Sequence, residues 1–518
     1  MSEPVDVLII GLGPVGAVLA ALCGQAGLSV RAVERDHAVY KNPRAIQMDQ
    51  EVLRQLNLVG VADAVQAASV ASEGYEFVNR EGELLVCRYP PAKLGATGYP
   101  FANMFHQPSL EQALRARLDE LSTVEVSLGT ELTGFEVFDH GVVARLSNEE
   151  GQASVRARYL IACDGGRSTV RRQLGVDMYD MGFEEPWMVV DVKLKPPMTK
   201  FNHTAVQLCD PHRPVTSAGS GPGRHRWEFM LKPEDDRDEV VKAENIKRWL
   251  ADWIDPDKVE LERRAIYEFH GVIAERWRQG RVMLIGDAAH QMPPFLGQGL
   301  CSGVRDACNL AWKLNAVLQS GADEKLLDTL QGEREPHVAQ ITRDAIDMGR
   351  IVCVADEEAA AARDARLMGE RKAGKPPPFP PLPDITSGIW ASASAGCVMP
   401  EPWIANTAGQ QRLDDLIGYA PVLVLAETTE LAAPDLALAQ ALGFATATGG
   451  LCRIGSGNER ETALLDPDGY LASAMQGAQA LLAKPDRVVF GTGTPGELLH
   501  AWEAYLSGKS LPGMVAAA

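Results

Sequence analysis

The stretch from Val5 to Glu34 reads VDVLIIGLGPVGAVLAALCGQAGLSVRAVE, and its interpretation decides the fold. A continuous apolar run is followed at once by Gly11, Gly13 and Gly16, then by a helical pattern from about Pro14 to Ala26 and a second apolar run, Ser29 to Val33. This is the spacing of a dinucleotide-binding fingerprint: the first glycine permits a tight turn, the second lets backbone approach a pyrophosphate, and the third lets helix and strand pack closely. The amino terminus of the helix offers unpaired N–H groups and a partial positive charge to phosphates. Glu34 stands roughly 20 residues on, where an acid accepts hydrogen bonds from ribose hydroxyls and disfavours a 2′-phosphate.

A glycine triplet alone is weak evidence, since strand-to-helix turns use glycine without any nucleotide. The flanking strand, helix, second strand and acid make a bound dinucleotide the better reading. A second triplet, Gly491, Gly493 and Gly496, also follows an apolar run, Val488-Val489-Phe490. It is expected to fail, because only a short tail follows its helix and no return strand with an acid can be completed.

The chain has 518 residues and a formal net charge of −19, which suggests about three lobes and argues against a nucleic-acid or anionic-membrane partner. Its nine cysteines are scattered without a CxxC pair, as in a reduced, cytoplasmic protein, and no Cys/His cluster has zinc spacing, so no metal is expected. Glu3 and Asp6 occupy the region where a signal peptide would be positive, and no stretch reads as a membrane span.

Along the chain, Ile46 to Leu56 has helical spacing after the turn Asn42-Pro43-Arg44; Arg44 either faces phosphate or is a solvated surface arginine. Tyr75 to Arg88 reads as a hairpin, and Gln107 stands at the entrance of a helix from Ser109 to Glu120. Short strands from Val124 to Ile161 end in a buried run and then Asp164-Gly165-Gly166-Arg167-Ser168, which is either a ligand-binding strand end or a plain turn capped by Asp164. From Pro186 to His270 longer strands read as a mostly antiparallel lobe with one helical insertion, suited to walling a pocket. The third stretch, Leu284-Ile285-Gly286-Asp287-Ala288-Ala289-His290, again places Gly and Asp at a strand end. It runs into Met292-Pro293-Pro294-Phe295-Leu296-Gly297-Gln298-Gly299-Leu300 and a helix from Ser302 to Gln319.

GLGPVG with Glu34, CDGGRS, and LIGDAAHQMPPFLGQG, in this order over about residues 4–350, closely resemble the FAD-dependent aromatic hydroxylases, the single-component flavoprotein monooxygenases. PRAIQMDQEVLR, WMVVDV, LCDPHRP, EFML and SGVRDACNLAWKL are most similar to the 3-(3-hydroxyphenyl)propionate hydroxylases within that family. The resemblance implies that Glu34 binds the adenosine ribose, Arg44 and Gln107 contact FAD, Asp287 binds the ribityl chain, and Gly297 to Leu300 line the isoalloxazine ring. It places Asp164 and Arg167 in a stretch used for FAD and NAD(P)H, assigns Pro14, Val15, Arg35, Gly286, Pro294 and Gln298 to cofactor binding, and sets Pro293 beside the substrate. Relatives commonly carry Asn where this chain has Cys301.

The chemistry so implied is oxygen transfer from O2, through a flavin C4a-hydroperoxide, to a phenolic ring, with NAD(P)H as reductant. Asp49, His203 and His290 are the candidate bases for the phenol, and Arg213 or Arg226 is expected to hold a substrate carboxylate. The alternatives are a flavin oxidase or reductase without oxygen insertion, a polyketide-tailoring monooxygenase, and a non-enzymatic FAD-binding protein.

The expected fold is α/β. A Rossmann-like FAD-binding domain (1–180 and 276–373) is interrupted by an antiparallel-sheet substrate domain (181–275). A proline-rich linker at Pro376 to Pro383 leads to a C-terminal α/β domain (384–518). The resemblance makes that last domain thioredoxin-like; without CxxC its role is expected to be packing or a homodimer contact.

Overall fold

The computed structural model describes the chain apart from residues 1–2, 199–200, 202, 378, 380, 393–394, 402, 407–408, 445–450, 455–462, 466–468, 510–514 and 518. Asp466-Pro467-Asp468-Gly469 is a turn signal in the sequence, and all but Gly469 of it lies outside the described residues.

The apolar run Val5–Ile10 is a strand with both neighbours parallel to it: Gly151–Ala162 on one side and Val30–Val33 on the other. Val282–Leu284 extends the sheet beyond Gly151–Ala162, also in parallel, and Val124–Ser127 extends it beyond Val30–Val33. Burial on both faces explains why these segments are apolar without alternation. Ile10 is in register with Ala162, and Ala162 with Leu284, so the three glycine-and-acid stretches emerge side by side along one sheet edge. The carboxyl ends of parallel strands are where such sheets bind ligands.

A second eight-stranded sheet is built around the long antiparallel pair Met178–Leu194 and Val259–Ala274, followed by Arg224–Met230, Val215–Gly219 and Thr204–Leu208. Its two long strands run from Met178 to Ala274, beside the expected span of 181–275. The hairpin Gly74–Val78 and Leu84–Arg88 joins this sheet through a parallel pairing with Thr204–Leu208, so residues far upstream complete it. One face packs Trp227 and Phe229 against Ile246 and Leu250 of the helical insertion. The residues alternating with them face the opposite way.

The helix expected from Ile46 begins later. Gln47–Asp49 pairs antiparallel with Ala102–Phe105, and Asp49 then caps the helix Gln50–Val59 by accepting from the Val52 amide at 3.0 Å. The helical spacing was real but its first turn was claimed by a neighbouring strand. The later helix starts at Gly299, not Ser302.

After the helix Glu357–Lys372 the chain passes Phe379 and Pro381 to Pro383 and enters a seven-stranded sheet centred on Leu451–Ile454 and Val422–Leu425. Here Gly491 and Gly493 of the second glycine triplet lie inside the strand Val489–Gly493, which among the described residues pairs with the antiparallel Ala480–Ala483. A Cβ on Gly496 would stand 2.9 Å from the Asp435 carboxylate, an acid where a phosphate would have to sit. This lobe is tied to the rest by buried charge. Asp414 receives Arg54 Nε at 2.7 Å and Arg487 Nε at 2.7 Å, and all three side chains are inaccessible. Glu333 receives Lys484 Nζ at 2.9 Å, Asn309 at 2.8 Å and Tyr505 Oη at 2.6 Å.

Candidate functional site

A cavity of about 1060 Å³ runs from Gly13 and Val15 past Asp287 and the Gly297 to Leu300 loop to the second sheet. Small-molecule pockets are typically about 300–1,000 Å³, so there is room for an extended cofactor together with a ring.

At the glycine-loop end, Gly11 has φ +94° and a Cβ there would lie 2.4 Å from the Cys163 carbonyl, so only glycine lets the first two motifs touch. Gly13 opens outward: nothing lies within 4 Å of where its Cβ would stand. Glu34 accepts from the Leu12 amide at 2.8 Å and the Asp36 amide at 3.1 Å, holding the loop as well as presenting an acid beside it. Arg35 points to solvent away from the cavity lining.

Asp164 turns one oxygen to the Thr169 and Val170 amides at 2.7 and 3.2 Å, while its other oxygen is buried without a partner. Neither it nor the solvent-facing Arg167 lines the cavity; their neighbours Cys163 and Gly165 do. Asp287 opens onto the cavity and takes no hydrogen bond from the described residues. Arg44 lines it too, with its guanidinium 5.8 Å from the Tyr40 ring. Gln107 accepts from the Arg44 and Ala45 amides at 3.2 and 2.7 Å and so fixes that loop.

A cluster of committed charge braces the Gly297 to Leu300 loop. Gly297 has φ +64°, and Arg305 beneath it reaches Asp49 at 2.5 Å, Glu51 at 2.6 Å and Gln298 at 3.0 Å. Cys301 is buried with its thiol on the Gly297 carbonyl, so an Asn is replaced here by a small apolar filler. Beneath Gly286 the amide donates to Asp306, which also pairs with His290 at 2.6 Å and Arg334 at 2.9 Å. Burial opposes ionisation of Asp306, but His290 and Arg334 outweigh it and hold it down to about 2. The chain of contacts continues through His337 Nδ1 at 2.9 Å to the Pro383 carbonyl at 3.0 Å, linking the Gly286 turn to the linker.

Several expected site residues are placed elsewhere. His290 is 1% exposed, absent from the cavity lining and bound to Asp306, so it is a structural histidine. His203 pairs with Glu73 at 3.3 Å outside the cavity. Asp49 reaches the cavity, yet it is a helix cap and an ion-pair partner; burial raises its pKa, Arg305 more than offsets this, and the lowered result makes it a poor proton acceptor. Arg213 is locked to Asp235 at 2.8 and 3.0 Å and stacks on Trp249, away from the cavity. Arg226 does line the cavity but is spent on Asp191, at 2.7 and 2.9 Å, and on the Pro43 and Arg44 carbonyls, both at 2.7 Å. It is unavailable for a substrate carboxylate. Pro293 is outside the lining, whereas Pro294 is in it.

Two features escaped the sequence reading. The sheet presents Gln207, Thr216 and Glu228 in one row, and the linker contributes Phe379 and residues 381–385 to the cavity wall. The first had a partial signal: Gln207 stands between Val206 and Leu208, and Glu228 between Trp227 and Phe229. The linker had none.

The model of the FAD binding domain family matches residues 4–345. A probable NADH-specific resorcinol 4-hydroxylase of Rhodococcus jostii is 39% identical over 427 residues, 82% of this chain and 79% of that one. The chain belongs to the FAD-dependent aromatic hydroxylases. This hydroxylase is also 35% identical to a 3-(3-hydroxy-phenyl)propionate/3-hydroxycinnamic acid hydroxylase of Mycolicibacterium smegmatis, spanning 71% of its own length and 65% of the relative's. The crystal structure of aklavinone-11 hydroxylase with FAD and aklavinone superimposes on it with a TM-score of 0.77 at 26% identity, covering 98% of this chain and 99% of that one.

FAD is the cofactor of the hydroxylase, and the residues present fit it: an open approach at Gly13, a partnerless carboxylate at Asp287 for hydroxyls, and a free guanidinium at Arg44 for phosphate. Charge-assisted hydrogen bonds are worth about 1.5–3 kcal/mol each. Asp287→Ala and Glu34→Ala are therefore expected to weaken FAD binding at least about tenfold, as read by fluorescence titration of apoprotein. Unchanged titrations in both would remove the assignment. Among the described residues one trio, Glu184, Glu268 and His270, brings metal-type donors together, at the exposed rim where Glu268 already pairs with Arg237.

Proposed function

We propose that the enzyme uses NAD(P)H and O2 to hydroxylate a phenol, with resorcinol-like rings ahead of carboxylate-bearing ones. One observation carries this: a cavity joins the Gly13 to Asp287 cradle to an aromatic and polar floor where Arg226 is already neutralised by Asp191, while Arg213 lies outside it, paired with Asp235. The similarity to the resorcinol hydroxylase points the same way.

In this reading residues 1–180 and 276–373 form the FAD domain, the second sheet walls the substrate, and residues 384–518 are a thioredoxin-like lobe without CxxC. FAD, when bound, would supply the redox chemistry: hydride acceptance from NAD(P)H and transfer of one oxygen atom of O2 to the ring, the other leaving as water. The protein positions the ring and keeps water out. Tyr75, Phe269, Phe295 and Phe379 give the substrate end flat apolar walls. Tyr75 donates to the Phe295 carbonyl at 2.8 Å and accepts from Gln207 at 2.8 Å, so the sheet and the loop before Gly297 are held in fixed relation. Glu34 completes the cofactor assignment beside the loop, whereas Asp164 and Arg167 stand outside the cavity lining.

With 18O2 the hydroxylated product is expected to carry label, and unlabelled product or peroxide alone would favour an oxidase. Among the described residues one dinucleotide fold is present for two dinucleotides, so in this reading NAD(P)H visits the flavin transiently. A bound phenol that favours the accessible arrangement would promote that visit. Stopped-flow reduction is expected to be at least about tenfold faster with substrate, about 1.4 kcal/mol off the barrier. An unchanged rate with a hydroxylated substrate would replace gating by a fixed flavin.

A further inference from the structure

With His203 and His290 outside the cavity and Asp49 fully engaged, the phenol lacks a proton acceptor among the residues expected from sequence. The second sheet supplies one. Gln207, Thr216 and Glu228 are direct cross-strand partners on three adjacent strands, Gln207 opposite Thr216 and Thr216 opposite Glu228. All three line the cavity, and the neighbouring positions on the same face, Ala205 and Ala218, are small.

The hydrogen bonds along this row have a direction. Thr216 donates to the Gln207 side-chain oxygen at 2.8 Å, Gln207 donates to Tyr75 at 2.8 Å, and Tyr75 donates to the Phe295 carbonyl at 2.8 Å. Glu228 stands at the other end and is excluded from that chain. It is 5% exposed and is held by one long ion pair, to Arg226 at 3.5 Å, whose shorter hydrogen bonds go to Asp191 and two carbonyls. A buried carboxylate held by a single long contact and opening onto a ligand cavity keeps acceptor capacity for the ligand.

We propose that Glu228 accepts the hydrogen bond of the substrate's ring hydroxyl and takes its proton as the ring is hydroxylated, with the Thr216 and Gln207 row beside it. The O–H bond of the phenol breaks, its electron pair stays on oxygen as phenolate, and the proton forms the neutral acid of Glu228; it returns to solvent when product leaves. No electrons move in this step. The groups facing Glu228 are Arg226 on its own strand, Asp191 and Arg263 on the two long strands, and Tyr75 on the hairpin. Burial raises the Glu228 pKa, and Arg226 and Arg263 pull it back only in part, which moves it toward the range where a carboxylate can hold a proton in turnover.

The inference rests on the phenol-hydroxylase reading, and the test separates the two. FAD-loaded wild type, Glu228→Gln and Glu228→Asp are assayed for product and for FAD reduction, with the best unionised phenol of a panel, across pH. Glu228→Gln is expected to lose at least about a hundredfold in product formation at neutral pH and to regain about tenfold per pH unit as the phenol ionises by itself. Its FAD content and reduction should stay within about twofold of wild type, with Glu228→Asp intermediate. A uniform loss at every pH, or none, overturns the role of Glu228. Should Glu228→Gln lose FAD, Glu228→Asp and the wild-type profile decide, and a wild type without an acid limb overturns it. A wild type that hydroxylates no phenol fails the broader reading instead.

Discussion

Asp414→Ala is expected to destabilise the protein by about 3–5 kcal/mol, the cost of leaving buried charge without its partner. The carboxylate serves Arg54, from the helix Gln50–Val59, and Arg487, from the turn between Ala480–Ala483 and Val489–Gly493. Arg54 also donates to the Met399 carbonyl, and Arg487 to the Ala420 carbonyl at 2.7 Å. These bonds fix both guanidinium groups where no water reaches them. Glu401, 3.9 Å from Arg54, is no substitute: burial pushes it up to about 7. The variant should release FAD at a lower temperature and be cut more readily in the linker by limited proteolysis. Unchanged release and cleavage would mean that the two lobes are held together by other contacts.

Asp306→Ala is expected to be comparably costly, about 3–5 kcal/mol, because Arg334 and His290 lose a shared partner and the Gly286 amide loses its acceptor. The wild-type protein should show the same contact as acid sensitivity. The folded pKa of Asp306, about 2, lies below the unfolded value of about 3.9. Its contribution is thus fully present above about pH 4 and is lost as pH falls through about 2. Equilibrium unfolding at pH 6 and pH 3 should show this loss in wild type and a smaller one in Asp306→Asn. An equal pH response in both would assign the acid sensitivity elsewhere.

The parts of this site that sequence makes legible are those held by backbone. Gly11, Gly13, Asp164, Gly286 and Asp287 sit at strand ends, and a strand end is visible as an apolar run that stops at Gly or Asp. Parallel pairing then brings the stops together without help from side chains. Side-chain roles were less legible because they depend on partners far away in the chain. Arg213 and Arg226 have the right chemistry for a carboxylate, yet Asp235 and Asp191 reach them first. His290 follows a site-like Gly-Asp, but Asp306 on the next helix claims it. Conversely, Glu228 reads as one charge in a strand, and only two strand registers align it with Thr216 and Gln207.

The linker after Lys372 has a double duty. Phe379 packs edge-on against Phe77, with ring centroids 5.2 Å apart, and tilted against Tyr75, 5.5 Å apart; Pro383 is anchored by His337. The same residues that tether the last lobe are therefore wall tiles of the reaction chamber. Grafting the tail of one relative onto the body of another would exchange part of that chamber along with it. A tail chosen for assembly or solubility would thus bring its own substrate range, and lineages that recombine at this junction would change both traits in one event.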